Sequence, residues 1–162
     1  MCSVIIKLVG AVMILVSSAV MGTYIANVYS RRVTSTEAVA DFIKYIKRNI
    51  ESFSMPVGEM VTAYTSEHFE LTGFLEAMRA DGLSEAIEGG YLTLSGKAER
   101  EFAEFASRLG SDYTEGEVKR CEYYTGVFED LLKAERENVS TNGRLYRLLP
   151  PLGAVSLIIL LI

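Results

Sequence analysis

Three residue types in this chain could do chemistry: one histidine, two cysteines and twenty-one carboxylates. His68 stands between Glu67 and Glu70. An imidazole there could move protons near neutral pH. However, no motif places a Ser or Cys for it to activate, and the position reads as surface. Cys2 and Cys121 form no CxxC pair and imply neither metal nor redox work. Cys2 precedes an apolar stretch and so does not read as a lipid-modified cysteine; Cys121 reads as a small core filler. The carboxylates fall in runs, Glu99, Glu101 and Glu104 in one and Glu129, Asp130, Glu135 and Glu137 in another. Lys and Arg alternate with them, as on solvated helix faces. There is no HExxH, P-loop, GxGxxG or EF-hand loop. The expectation is therefore no catalytic residue, cofactor, metal or small-molecule substrate, and a non-enzymatic protein. An enzyme using His68 and a glutamate is the competing class.

The uncharged residues are more informative. Of 37 charges, 35 lie between Arg31 and Arg144, and this middle holds 14 basic and 21 acidic side chains, a net of −7. Phosphate binding draws on clustered Lys and Arg, so nucleic acid is not an expected partner. Residues 8–30 carry no charge and would extend ~35 Å as a helix at 1.5 Å per residue. That spans a hydrocarbon core of about 30 Å. Gly10, Ala11, Ser17, Ser18, Ala19 and Gly22 are small enough to let another helix approach. A signal peptide ending near "SSAVMG" is the alternative. Residues 145–162 hold one charge, Arg147, and would reach ~27 Å as a helix. They can just cross if Arg147 snorkels to the headgroups. Pro150 and Pro151 fall in the first turns of this run. The organisation is an N-terminal span over 1–30, a domain over 31–144 and a C-terminal span over 145–162.

Arg31, Arg32, Arg144 and Arg147 flank both spans on the middle-domain side, against Lys7 on the other. Positive residues favour the cytoplasmic side, so the middle domain is expected to face the cytoplasm.

The middle domain shows a helical period throughout. Val39, Phe42, Ile43, Ile46, Ile50 and Phe53 make one stripe, on a helix continuing from the first span. Ser54–Met55–Pro56 marks a break, with Pro56 as the first position of a second helix through Met60, Val61 and Tyr64. A third takes Phe69, Leu71, Phe74, Leu75 and Met78 and closes at Asp81–Gly82. A short one covers Ser84–Glu88. Thr93 or Ser95 caps the next, which buries Phe102, Phe105, Ala106 and Leu109 and ends at Gly110. A long charged helix buries Val118, Cys121, Thr125, Phe128 and Leu132 and runs toward the second span, with Gly143 as a soft point. About six helices with short links make an all-α bundle flanked by transmembrane helices.

The segments "LTLSGKAEREFAEFASRLGSDYTEGEVKRCEYY" and "ENVSTNGRLYRLLPPLGAVSLIILLI" resemble the stage III sporulation protein AB family, and the likeness covers nearly the whole chain. "NIESFSMPVGEM" is similar to a family break in which Phe53, Met55 and Val57 stand for Tyr, Thr and Leu. Pro150–Pro151 departs from the usual family segment. The resemblance implies a bacterial membrane complex joining mother cell and forespore, with the soluble domain on the mother-cell side. It also implies a likeness to the cytoplasmic helical domains of type II secretion platform (F-type) proteins. A secretion-type ATPase, stage III sporulation protein AA, and other channel subunits become the implied partners. A two-span protein with an extracytoplasmic sensor or ligand-binding bundle is the alternative.

Overall fold

The structure is a computed structural model that describes residues 2–53 and 56–161. Among the described residues there are seven helices joined by short turns, and no strand. They are α1 (Cys2–Phe53), α2 (Val57–Ala63), α3 (Glu67–Leu71), α4 (Phe74–Ala80), α5 (Leu83–Glu88), α6 (Gly96–Arg108) and α7 (Thr114–Leu161). The chain divides into two compact units, Arg31–Glu135 and a second comprising Met1–Ser30 with Arg136–Ile162. α1 and α7 each contribute to both.

Within Arg31–Glu135, the α1 stripe is buried as its spacing requires. Val39, Phe42, Ile43 and Ile46 are fully enclosed and Ile50 nearly so. Phe42 is the hub. Its ring lies 5.0 Å from Tyr64, 6.0 Å from Phe69 and 6.2 Å from Phe102, centroid to centroid. Phe69 continues to Phe74 at 4.6 Å, and Phe102 to Phe128 on α7 at 6.2 Å. Most of these pairs are edge-to-face, the arrangement the ring quadrupoles favour. One aromatic network thus ties α1 to α3, α4, α6 and α7.

Local signals explain most helix ends. Ser95 caps α6, its hydroxyl accepting from the Ala98 amide at 3.4 Å. Of the two candidate caps, Ser95 is therefore the one used. Arg79 on α4 closes α2, donating to the Thr62 and Tyr64 carbonyls at 3.2 and 3.1 Å. α5 starts at Leu83, one residue before the expected Ser84. Pro56 precedes α2 as its N-cap, with extended ψ of 137°, and is not the first helical residue. The expected break at Ser54–Met55 lies outside the described residues.

The expected third helix is two helices. Gly73 takes a φ of +77°, in the left-handed region, and separates α3 from α4. The apolar period runs through this break. Leu71 consequently leaves the core and is 79% exposed. In α7, Cys121 and Phe128 are buried, Val118, Thr125 and Leu132 are half-buried, and Tyr124, which the apolar stripe omitted, is buried against Phe105. α7 remains helical through Gly143, where a soft point was expected.

In the second unit, α1 is long and apolar enough to cross a membrane, with a mean hydropathy of 1.6 over an eighteen-residue window only 12% buried. Val16, Val20, Met21 and Tyr24 are exposed there. Gly22 and Ala26, one turn apart, are buried. Open apolar side chains are costly in water, by about 1.5–3 kcal/mol for each large one relative to burial, and cost nothing in lipid.

Truncating the hub should be severe. Phe42→Ala is expected to lower unfolding stability by about 3–5 kcal/mol, the usual cost of removing a buried Phe. Denaturant titration of the solubilised chain checks this. A loss under 1 kcal/mol would mean that Phe42 is not central to the core.

Candidate functional site

Polar side chains cluster inside Arg31–Glu135 near one end of its α1 segment. Ser35 and Thr36 are consecutive on α1 and almost wholly buried. Placing hydroxyls there requires partners, because an unpaired buried polar group costs about 1–3 kcal/mol. Ser35 Oγ lies 2.9 Å from His68 Nε2 on α3. Thr36 Oγ1 donates to Glu135 Oε2 on α7 at 2.8 Å. Two neighbouring residues of one helix thereby bond two different helices.

His68 is consequently half-buried rather than a plain surface residue. Burial lowers its pKa below the usual histidine value, since charging it means desolvating an imidazolium. A Ser–His contact invites comparison with a nucleophile and base. Yet the Ser35 hydroxyl faces the interior, with the residue 1% exposed. A substrate carbonyl would need space beside it and free backbone donors. Ser35 lies within continuous helix, where backbone donors are already bonded to the preceding turn. The contact serves as an interhelical hydrogen bond.

Glu135 departs from the expected solvated face by reaching Thr36. Glu99, Glu104, Glu129, Asp130 and Glu137 are exposed as expected, and Glu101 is half-buried. Glu117 is a buried acid that the periodicity did not single out, at 3% exposure. Its Oε1 accepts from the Asp112 amide at 3.0 Å and from the Arg120 guanidinium. Arg120 also donates to the Arg108 carbonyl at 2.7 Å. This corner closes the α6–α7 turn in the manner of a capping box. A Glu in the first turn of a helix that follows Ser-Asp was the available signal.

Elsewhere, α1 and α7 carry complementary charge. Lys44 pairs with Glu129 at 2.7 Å and Lys47 with Glu122 at 2.8 Å. The hydrogen bond between Lys47 and Glu122 raises the lysine pKa and lowers that of the carboxylate. These exposed pairs set register more than stability. Cys121 is buried, and desolvation, with Glu117 adding to it, pushes its thiol up to about 11. It is an inert core thiol.

Among the boundary residues expected from the sequence, Arg31 is exposed and Arg32 half-buried, both within unbroken α1. The side chains of Lys7, Arg144 and Arg147 lie outside the described residues. Among the described residues, no group of three or more His, Cys, Asp or Glu could hold a metal ion.

Comparison with known proteins gives one family. The model described as "Stage III sporulation protein AB (spore_III_AB)" matches residues 7–162. No curated protein and no solved structure matches the chain.

The depressed His68 pKa predicts a pH dependence. Its folded value lies below the unfolded value of about 6.5, so the unfolded chain binds the proton first. Stability is full above about pH 6.5 and falls as acidification proceeds through the interval down to the folded pKa. The His68→Gln chain should lose less stability across this interval than the parent. Equal losses in both would contradict the assignment. Thr36→Val, which strips Glu135 of its donor, should cost about 1–3 kcal/mol, read by denaturant titration.

Proposed function

The chain belongs to the stage III sporulation protein AB family, and we propose that it is a membrane platform or adaptor of the channel joining mother cell and forespore. In this reading the Arg31–Glu135 bundle faces the mother-cell cytoplasm and docks a secretion-type ATPase, stage III sporulation protein AA. The chain performs no catalysis itself. Residues 1–30 and 145–162 anchor it in the membrane.

The observation that carries this reading is the double role of α1 and α7. Each belongs both to the compact bundle and to the unit containing the apolar ends. A load on the bundle therefore has two covalent helical routes into the spans. The resemblance of the soluble part to F-type platform domains supports the docking role by analogy. The arginine bias, Arg31, Arg32, Arg144 and Arg147 against Lys7, supports a cytoplasmic bundle. The engagement of Ser35, His68, Thr36 and Glu135 in packing favours an adaptor over an enzyme.

Orientation is tested by thiol labelling. Cys121 is buried with a raised pKa, so a Cys2→Ser background should give almost no labelling in the native state. Glu85→Cys in that background is expected to resist a membrane-impermeant reagent in intact mother cells and to react after permeabilisation. Labelling in intact cells would instead favour the extracytoplasmic sensor. Docking is tested by fractionation. The ATPase should sediment with membranes containing the full chain and remain soluble when the chain is deleted; unchanged sedimentation would contradict the platform role.

A further inference from the structure

Two large apolar side chains between α2 and α6 are left open. Leu71 at the end of α3 is 79% exposed, and Tyr91 after α5 is 45% exposed. Tyr91 is not simply loose. A side chain on Gly73 would reach its ring at 3.7 Å, and one on Gly89 would collide with the ring outright. Gly73 needs its glycine for a φ of +77°, but Gly89 has an ordinary helical φ of −64° that any residue adopts. The absence of a side chain at 89 therefore serves the ring: two glycines form a notch that seats Tyr91 beside the turn carrying Leu71. A seated, partly exposed aromatic is the kind of side chain that anchors protein interfaces.

The surrounding charge says what covers it. Residues 57–104 hold ten carboxylates and three basic side chains, so this stretch alone accounts for the net −7 of the middle domain. Among the described residues, only Glu104 of the ten stands in an ion pair, with Arg108. On α1 and α7, by contrast, Glu51, Glu115, Glu122 and Glu129 are each paired with a lysine. Arg79, one of the three bases, is committed to the Thr62 and Tyr64 carbonyls. Uncompensated like charge disfavours a second copy meeting this face in an isologous contact, and equally an anionic membrane or nucleic acid. We propose that exposed Leu71 and Tyr91, with the exposed Glu70 and Glu88 beside them in sequence, belong to the docking face for a partner protein with a basic surface. This deepens the docking role and rests on it for the identity of the partner, though not for the existence of the face.

The test uses the full chain replaced at its own locus in the sporulating host. Gly89→Ala fills the notch without altering any charge, and Glu70→Lys/Glu88→Lys reverses the charge of the two neighbouring acids. Each should cut heat-resistant spore yield at least tenfold while membrane levels of the chain and its melting temperature stay at parental values. Glu70→Gln/Glu88→Gln should be milder than the lysine pair. Glu115→Lys/Asp130→Lys, the same charge change on α7, should leave yield unchanged. Parental yield from both Gly89→Ala and the lysine pair would overturn the proposal. So would equal defects from the glutamine and lysine pairs, which would remove the basic partner, or defects that track altered self-association in sedimentation. In parallel, affinity for the ATPase is measured with the purified full chain in neutral-lipid nanodiscs. Loss of binding in the variants makes the ATPase the occupant. Retained binding with lost yield assigns the face to another basic subunit. No binding by the parent chain removes the ATPase reading, and the spore yields still decide the face.

Discussion

Burial of one face of α1 is the constraint on which the bundle depends. α2 to α5 are five to seven residues each, well below the ~12–15 at which an isolated helix becomes even marginal in water. They exist because Phe42, Ile43 and Ile46 give their apolar residues somewhere to go. Met60, Phe69, Phe74 and Ile87 each belong to a different short helix and all join this one core. α6 and α7 complete it through Phe102, Phe105 and Phe128. The two long helices supply the frame, and the short ones are ordered by it.

Polar groups inside this frame supply direction where hydrophobic burial cannot. An apolar stripe tolerates sliding by a turn, whereas Ser35 to His68 and Thr36 to Glu135 are satisfied in one register only. The Glu117–Arg120–Asp112 corner does the same where α6 turns into α7. Residues that look chemically promising in isolation are here used to position helices.

Much of the architecture was legible because its causes are local. The apolar period over Val39–Ile50, the Ser95 cap and Gly110 closing α6 each act within a few residues. The failures have equally specific causes. At Gly73 an apolar period continued across a break, since periodicity is blind to a single left-handed residue. His68 and Glu135 looked solvated because their partners lie 33 and 99 residues away in sequence. Tyr91 and Gly89 carry no motif; their relation is visible only in space. The family resemblance read from the segments around "LGSD" and "NGRLYR" is matched by the family assignment over residues 7–162.

A platform role requires that this bundle receive an ATPase. The most direct measurement is the affinity of the full chain, in neutral-lipid nanodiscs, for the purified ATPase at low and at moderate salt. Docking on an acidic bundle predicts saturable binding that weakens as salt rises, because the attraction is screened over about 8–10 Å at 0.1–0.15 M ionic strength. Absence of binding at either salt concentration would contradict it.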